Sequence, residues 1–356
     1  MKSVERVTRA IEFRRPDRVP FLSIIPAISD IFYVAYYPAR DWQPKKGHYP
    51  NINHLLYLIG NWRARPPLPL NWASSGKPRE DEFGCVWQAA KADAIGEVVG
   101  HPLESWDDLE TFKIPDPYAK GRFDSFKLYA KLFGKDKFAI GDLGNGPWER
   151  SHFLRGFENI MMDMVAEPDN VKRLLDRLID EWYLGLIDQH ASLGQHGVIT
   201  TDDWGTQSNL MISPATWREI FKPRYKKLID AAHERGMKFM LHSCGDTRLI
   251  MDDLVEIGLD VIQKDDMECL GLDWIHQNLA GKITFFGPLD MQRVLPNAGH
   301  EDIRREVKRT IRLVGPHDGG LIGMIYSQPQ AVNIPWEKFI LMHYYYHRYG
   351  KYPAKH

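Results

Sequence analysis

The chain has 356 residues, with 46 Lys and Arg against 47 Asp and Glu, a formal net charge of −1. That balance argues against holding nucleic acid by bulk charge. Three cysteines, Cys85, Cys244 and Cys269, are too few for a disulfide framework and read as thiols of a reducing compartment or as metal ligands.

With 44% hydrophobic and 26% charged residues, the chain can bury a large core, as two domains or as one α/β barrel. The opening MKSVERVTRAIEFRRPDRVP carries charge throughout and has no apolar h-region, so no secretory leader is expected. No run approaches 18 uncharged apolar residues, so no membrane span is expected and the protein reads as cytoplasmic. Arg14, Arg15 and Arg18 read as a solvated charge run at a helix end rather than a carboxylate site.

RVPFLSIIP (18–26) reads as a buried strand. Residues 27–130 then break any regular alternation and are rich in Pro, Trp and Asn, so they read as a large insertion near a barrel mouth. Within them DEFGCVWQAAKADAIGEVV (81–99) has the pattern of a β-hairpin. Many of the aromatics gather here, including Tyr33, Tyr36, Tyr37, Trp42, Tyr49, Trp62, Trp72, Trp87 and Trp106. They suit core and lid packing or, alternatively, the wall of a pocket for a flat or apolar small molecule.

KFAIGDLG (137–144) is a second buried strand, with helices expected near 154–166 and 168–193. From 197 onward strand and helix patterns alternate. GVITTDDW (197–204) leads to the helix 213–236, with Ser213 as N-cap, Pro214 at its first position, Gly236 as terminator and a kink at Pro223. Strands 237–244, 259–265, 282–289 and 320–327 follow, each with a helix after it, at 247–258, 272–281, 301–315 and 335–350. Short apolar strands in βα units imply a parallel sheet covered on both faces. With seven or eight of them and no G-x-G-x-x-G or Walker loop, the expectation is one (β/α)8 TIM-type barrel over 1–356, carrying the 27–130 insertion. Aromatics on the last helix, the Tyr344–Tyr346 run among them, suit helix packing and leave room for a homodimer.

Working residues of such barrels sit at the C-terminal ends of strands. Those ends carry Asp202 and Asp203; His242, Ser243 and Cys244; Asp265, Asp266 and Cys269; Asp290 with Gln292; and Tyr326, Ser327 and Gln328. His242 and Cys244 lie two apart on one strand, so both point into the mouth, and imidazole with thiol suits Zn²⁺. Cys269, Asp202 or Asp203, from the flanking strands, is expected to complete the set, with one position open to substrate. Asp202, Asp203 and Asp290 are the candidates for orienting a substrate or delivering a proton.

SVERVTRAIEFRRPDRVP, DDWGTQ, SPATWREIFKPRYKKLIDAAHERG, LHSCGDTRLIMDDLVEIGLDVIQ and FFGPLDMQRVLP, in that order, resemble the uroporphyrinogen decarboxylase superfamily. The likeness is to its zinc- and corrinoid-linked methyltransferase branch. True decarboxylases carry a Met-Arg-Gln-Ala-Gly-Arg type stretch after the first strand, where this chain reads PFLSIIPAISDIFYVAYY. An octacarboxylate porphyrinogen needs a cationic cleft. The methyltransferase branch uses His-x-Cys and a later Cys as zinc ligands; His242 and Cys244 match the first two. The later position falls around Tyr326–Gln328 with no cysteine, so the third ligand is open among Cys269, Asp202 and Asp203.

The resemblance implies a corrinoid-dependent methyltransferase that acts as an O-demethylase on a methoxylated small molecule, aromatic or aliphatic, the methyl group passing to a separate corrinoid protein. Two alternatives accompany it: a uroporphyrinogen decarboxylase or related metal-free lyase, and a non-catalytic corrinoid- or ligand-binding protein.

Overall fold

Short apolar runs decide the architecture. In a computed structural model describing residues 1–23, 25–42, 78–88, 96–326 and 332–353, helix α1 (Ser3–Ile11) precedes strands β1 (Phe21–Leu22) and β2 (Ile31–Val34). A separate sheet holds β3 (Arg79–Glu80), β4 (Val86–Gln88) and β5 (Glu97–Gly100), and helix α2 (Asp124–Phe133) leads to β6 (Phe138–Asn145). Helices α3 (Pro147–Arg155), α4 (Phe157–Ala166) and α5 (Pro168–Leu178) follow; a π-helical turn at Ile179–Tyr183 joins α5 to α6 (Leu184–Ser192). Then come β7 (Gly197–Thr201), α7 (Pro214–Ile220), α8 (Lys222–Glu234), β8 (Lys238–His242) and α9 (Arg248–Glu256). The chain continues through β9 (Val261–Gln263), α10 (Leu272–Asn278), β10 (Thr284–Gly287), α11 (His300–Val314), β11 (Leu321–Met324) and α12 (Trp336–Tyr349).

Eight strands form one parallel sheet in the order β1-β11-β10-β9-β8-β7-β6-β2. The two end strands meet through Asp30, whose backbone N–H donates to the Phe21 carbonyl (2.8 Å) while its carboxylate accepts from Phe21 N–H (2.9 Å). The result is a nearly closed TIM-type barrel. Its bore is filled by alternate residues of the strands, among them Leu22, Ile31, Tyr33, Ile140, Ile199, Met240, Val261, Phe286, Ile322 and Met324. Val7 and Ile11 of α1 pack onto this cluster from below. The polar end of the bore is therefore the other one, where the strands finish.

Two sequence expectations need correction. IFYV at 31–34 is a barrel strand, paired in parallel with β6, not part of an insertion beginning at residue 27. Four residues between polar and proline-rich flanks carry too little periodicity to be told from loop, and pairing with β6 decides the matter. Arg18 is not a solvated charge: with Arg6 it grips Asp30, at 2.7 Å from each. Arg15 pairs with Asp318 at the surface (2.8 Å).

Elsewhere the helix expected over 213–236 is split at Phe221, and a new helix begins at Lys222 with Pro223 in its first turn; proline lacks the N–H that would continue the first. Strands β3, β4 and β5 form an antiparallel sheet. Tyr33 and Tyr37 are buried, and Tyr36 packs edge-on against Trp182 (5.3 Å). Tyr49, Trp62, Trp72, Ser327 and Gln328 lie outside the described residues. No helix among the described residues is long and apolar enough to cross a membrane.

Burial opposes the charge on Asp30, but hydrogen bonds from Arg18 and Ser3 and the nearby Arg6 outweigh it and hold the carboxyl below its usual range. Removing one partner of a buried ion pair strands the other. Asp30→Ala is expected to lose about 3–5 kcal/mol in urea unfolding. The carboxylate's contribution is complete above the unfolded aspartate value of about 3.9 and lost as pH falls through the lower folded value. Wild-type stability should therefore fall more steeply than the variant's on acidification below that point.

Candidate metal centre

Strands β7, β8 and β9 run in register, with Thr201 beside His242 and His242 beside Gln263. His242 follows Met240 on the inward face, so its ring emerges above the apolar fill of the bore. Three residues on, the chain turns at Gly245 in a left-handed conformation (φ +75°) and passes directly against Gly205. A Cβ on either glycine would come within 2.5 Å of the other's backbone, so only glycines let the two strand-end loops touch. That contact brings Cys244 to Asp203, whose carboxylate accepts from Cys244 N–H (2.6 Å).

The product is a cluster of three donors: one carboxylate oxygen, one imidazole nitrogen and one thiol, all within 4.8 Å of one another. His242 Nε2 lies 3.5 Å from Cys244 Sγ and 3.5 Å from Asp203 Oδ1. Ligands bonded at 2.0–2.3 Å to a tetrahedral ion stand about 3.5 Å apart, so these spacings match the edges of such a coordination shell. An O, N, S set suits a borderline divalent cation such as zinc. Burial, with the carboxylates of Asp203, Asp265 and Asp266, raises the Cys244 thiol well above its ordinary pKa. A thiol amid carboxylates needs a cation before it can ionise, and a divalent ion supplies that charge.

The other expected residues have different positions. Cys269 is not gathered into the cluster: it sits in the turn after β9, with its sulfur 3.6 Å from Gln207 Oε1. The helical turn at Met267–Cys269 carries it away from the bore. Asp202 alternates to the side opposite Asp203 and is fully buried. Its carboxylate accepts from the N–H groups of Trp148 (3.0 Å) and Glu149 (2.7 Å), capping α3 across strands, and from the Tyr225 hydroxyl. Asp290, expected to orient substrate, accepts from backbone N–H groups of its own loop, Gln292 (2.9 Å) and Arg293 (2.6 Å), and of the turn after β9, Glu268 (3.2 Å). Tyr326 packs on the apolar fill of the bore.

Several residues of this end were not among those the sequence singled out. Glu149, in the first turn of α3, receives a hydrogen bond from Asn145 (2.6 Å). Burial first, then the charges of Asp202 and Asp203, push its carboxyl up, while His242 acts the other way. Tyr183, on the π-helical turn, donates to the Asn145 carbonyl. Lys264, fully buried, donates to the carbonyls of Ser243 (2.7 Å) and Gly245 (2.8 Å), on either side of Cys244. Gly-Pro after a buried strand (146–147) marks a helix start at the mouth and was the available pointer to Glu149.

A parallel barrel with a polar cluster at its strand ends defines the class; the family follows from sequence. The chain belongs to the uroporphyrinogen decarboxylase (URO-D) family, whose profile matches residues 82–323. The methylcobamide:CoM methyltransferase MtbA of Methanosarcina acetivorans is 24% identical over 92% of this chain and 94% of its own length. A uroporphyrinogen decarboxylase of Trichlorobacter lovleyi is also 24% identical, over 61% of this chain and 63% of that protein. Among solved structures, a methyltransferase from Methanosarcina mazei superposes with a TM-score of 0.69 over 98% of this chain and 99% of that one, at 15% identity, a likeness of fold.

Asp202→Ala leaves two helix N–H groups and the Tyr225 hydroxyl buried without an acceptor. It is expected to cost about 2–4 kcal/mol of stability, seen as a lowered melting temperature. Asp290→Ala, at a loop whose N–H groups lie nearer solvent, should cost less than half of that in the same measurement.

Proposed function

We propose that this chain is a zinc-dependent methyltransferase that demethylates a methoxylated small molecule, the methyl group passing to a corrinoid carried by a partner protein. The observation that carries the reading is the Asp203–His242–Cys244 donor set, with its 3.5 Å spacings about His242 Nε2 and an oxygen as its third donor. The relative named for methylcobamide, aligned over nearly all of both chains, supports the corrinoid partner.

Breaking a methyl–oxygen bond leaves the electron pair on oxygen, so the obstacle is the charge of the departing alkoxide or phenoxide. Zinc in this set would supply Lewis-acid stabilisation of that oxygen. A carboxylate gives less electron density than a thiolate, so Asp203 in the set favours a hard oxygen ligand in the open position. His242 would hold the ion through Nε2 and Cys244 through Sγ. Glu149, with one oxygen held by Asn145, is placed to keep a proton on the other for the leaving group. Asp202 aligns Glu149 through its backbone and does not touch the donor set.

The decarboxylase relatives define the second reading, and one assay separates them. Purified protein with a methoxylated benzoate and reduced cobalamin is expected to yield methylcobalamin, read by its absorbance; uroporphyrinogen is expected to keep all its carboxylates by mass. Zinc should be present at one per chain, be lost in His242→Ala and Cys244→Ser, and be retained in Cys269→Ser. Methyl transfer undiminished in His242→Ala or after demetallation overturns the mechanism, and carboxylate loss from uroporphyrinogen overturns the reaction.

A further inference from the structure

The tip of β9 is the tetrapeptide Gln263-Lys264-Asp265-Asp266, and each of its side chains is engaged around the His242–Gly245 segment. Lys264 holds the carbonyls of Ser243 and Gly245, Asp266 accepts from Gly245 N–H (2.8 Å), and Asp265 accepts from Gln263 (2.8 Å). Gln263 itself is buried and lies directly opposite His242 in the β8–β9 ladder, its Oε1 against His242 Nδ1.

An amide has two ends, and only one can face the imidazole. Gln263 Nε2 meets Asp265 Oδ1 at 2.8 Å and Met324 Sδ at 3.5 Å. A carboxylate and a thioether offer only lone pairs. Rotating the amide by half a turn would set its carbonyl oxygen against both and leave two buried N–H groups facing the ring. The carboxylate of Asp265 therefore dictates that the oxygen points at His242. An oxygen there can only accept, so the ring must carry its hydrogen on Nδ1, and Nε2 is left as a lone pair. That is the atom standing 3.5 Å from both Cys244 Sγ and Asp203 Oδ1.

We infer that Gln263, oriented by Asp265, is a positioning residue that fixes the tautomer and rotation of His242 and so presents Nε2 to a divalent cation. The inference deepens the zinc reading above and rests on it. Ligating histidines generally pass their second N–H to a carboxylate, a backbone carbonyl or water. Here a neutral amide stands between ring and carboxylate, so orientation is transmitted without a second negative charge beside the ligand.

The test uses the full chain, freed of metal and titrated with zinc and with Co²⁺ against a chromophoric chelator. Gln263→Leu keeps side-chain bulk and removes the acceptor; metal affinity is expected to fall about 10–100-fold. The exchanged pair Gln263→Glu with Asp265→Asn rebuilds the chain in reverse, the asparagine amide donating to a carboxylate that accepts from Nδ1, with net charge unchanged. Its affinity should return to within a few-fold of wild type. In the Co²⁺ form, wild type and the exchanged pair should each show a paramagnetically shifted, solvent-exchangeable imidazole N–H resonance, broadened or lost in Gln263→Leu.

Equal affinity and an intact resonance in Gln263→Leu overturn the inference while leaving the metal centre standing. Wild-type protein that takes up no metal overturns both. If Gln263→Leu fails to fold, the exchanged pair and Asp265→Ala decide: rescue in the first with several-fold weaker binding in the second upholds the inference, and equal weakening in both overturns it.

Discussion

Parallel registry of β7, β8 and β9 is the constraint on which the candidate centre depends. Because Thr201, His242 and Gln263 are lateral neighbours in one ladder, side chains of three strands that are distant in sequence emerge on one face at one height. Slipping β8 by one residue would turn His242 toward the helices and bring Leu241 into the bore. The apolar layer beneath penalises that slip, since Met240 would lose its packing against Val261 and Ile199 and His242 would be turned into the apolar layer under the helices. Core packing and site geometry are thus set by the same alternation.

The two ends of the barrel handle charge in opposite ways. At the bottom, Asp30 is matched by Arg6 and Arg18, and the seam between first and last strands is tied by the same residue. At the top, Glu149, Asp202, Asp203, Asp265 and Asp266 crowd around one imidazole, one thiol and one buried lysine. Carboxylates gathered where they cannot all be solvated favour a bound cation. Asp202 is the exception, with three protein donors of its own, and so it serves the scaffold rather than the ion.

Family membership leaves the reaction open, since methyl transfer and decarboxylation both occur among the relatives. The loop contact between Gly205 and Gly245 delivers a carboxylate to the His-x-Cys pair.

The sequence by itself determined the parallel βα succession from residue 197 onward and the pairing of His242 with Cys244, because both rest on local periodicity: alternate strand residues share a face wherever the strand lies. It did not reveal β2, whose four apolar residues become a strand only against β6. Nor did it choose among Asp202, Asp203 and Cys269. Adjacent aspartates point to opposite sides, and which side meets the thiol depends on how two loops cross in space; Asp203 joins His242 and Cys244, and Asp202 turns to a helix end. The roles of Glu149, Gln263 and Lys264 were hidden for the same reason. The partners Asp202, His242, Ser243 and Gly245 are 19 to 53 positions away along the chain, and only the pairing of β6 with β7 and of β8 with β9 brings them within hydrogen-bonding range.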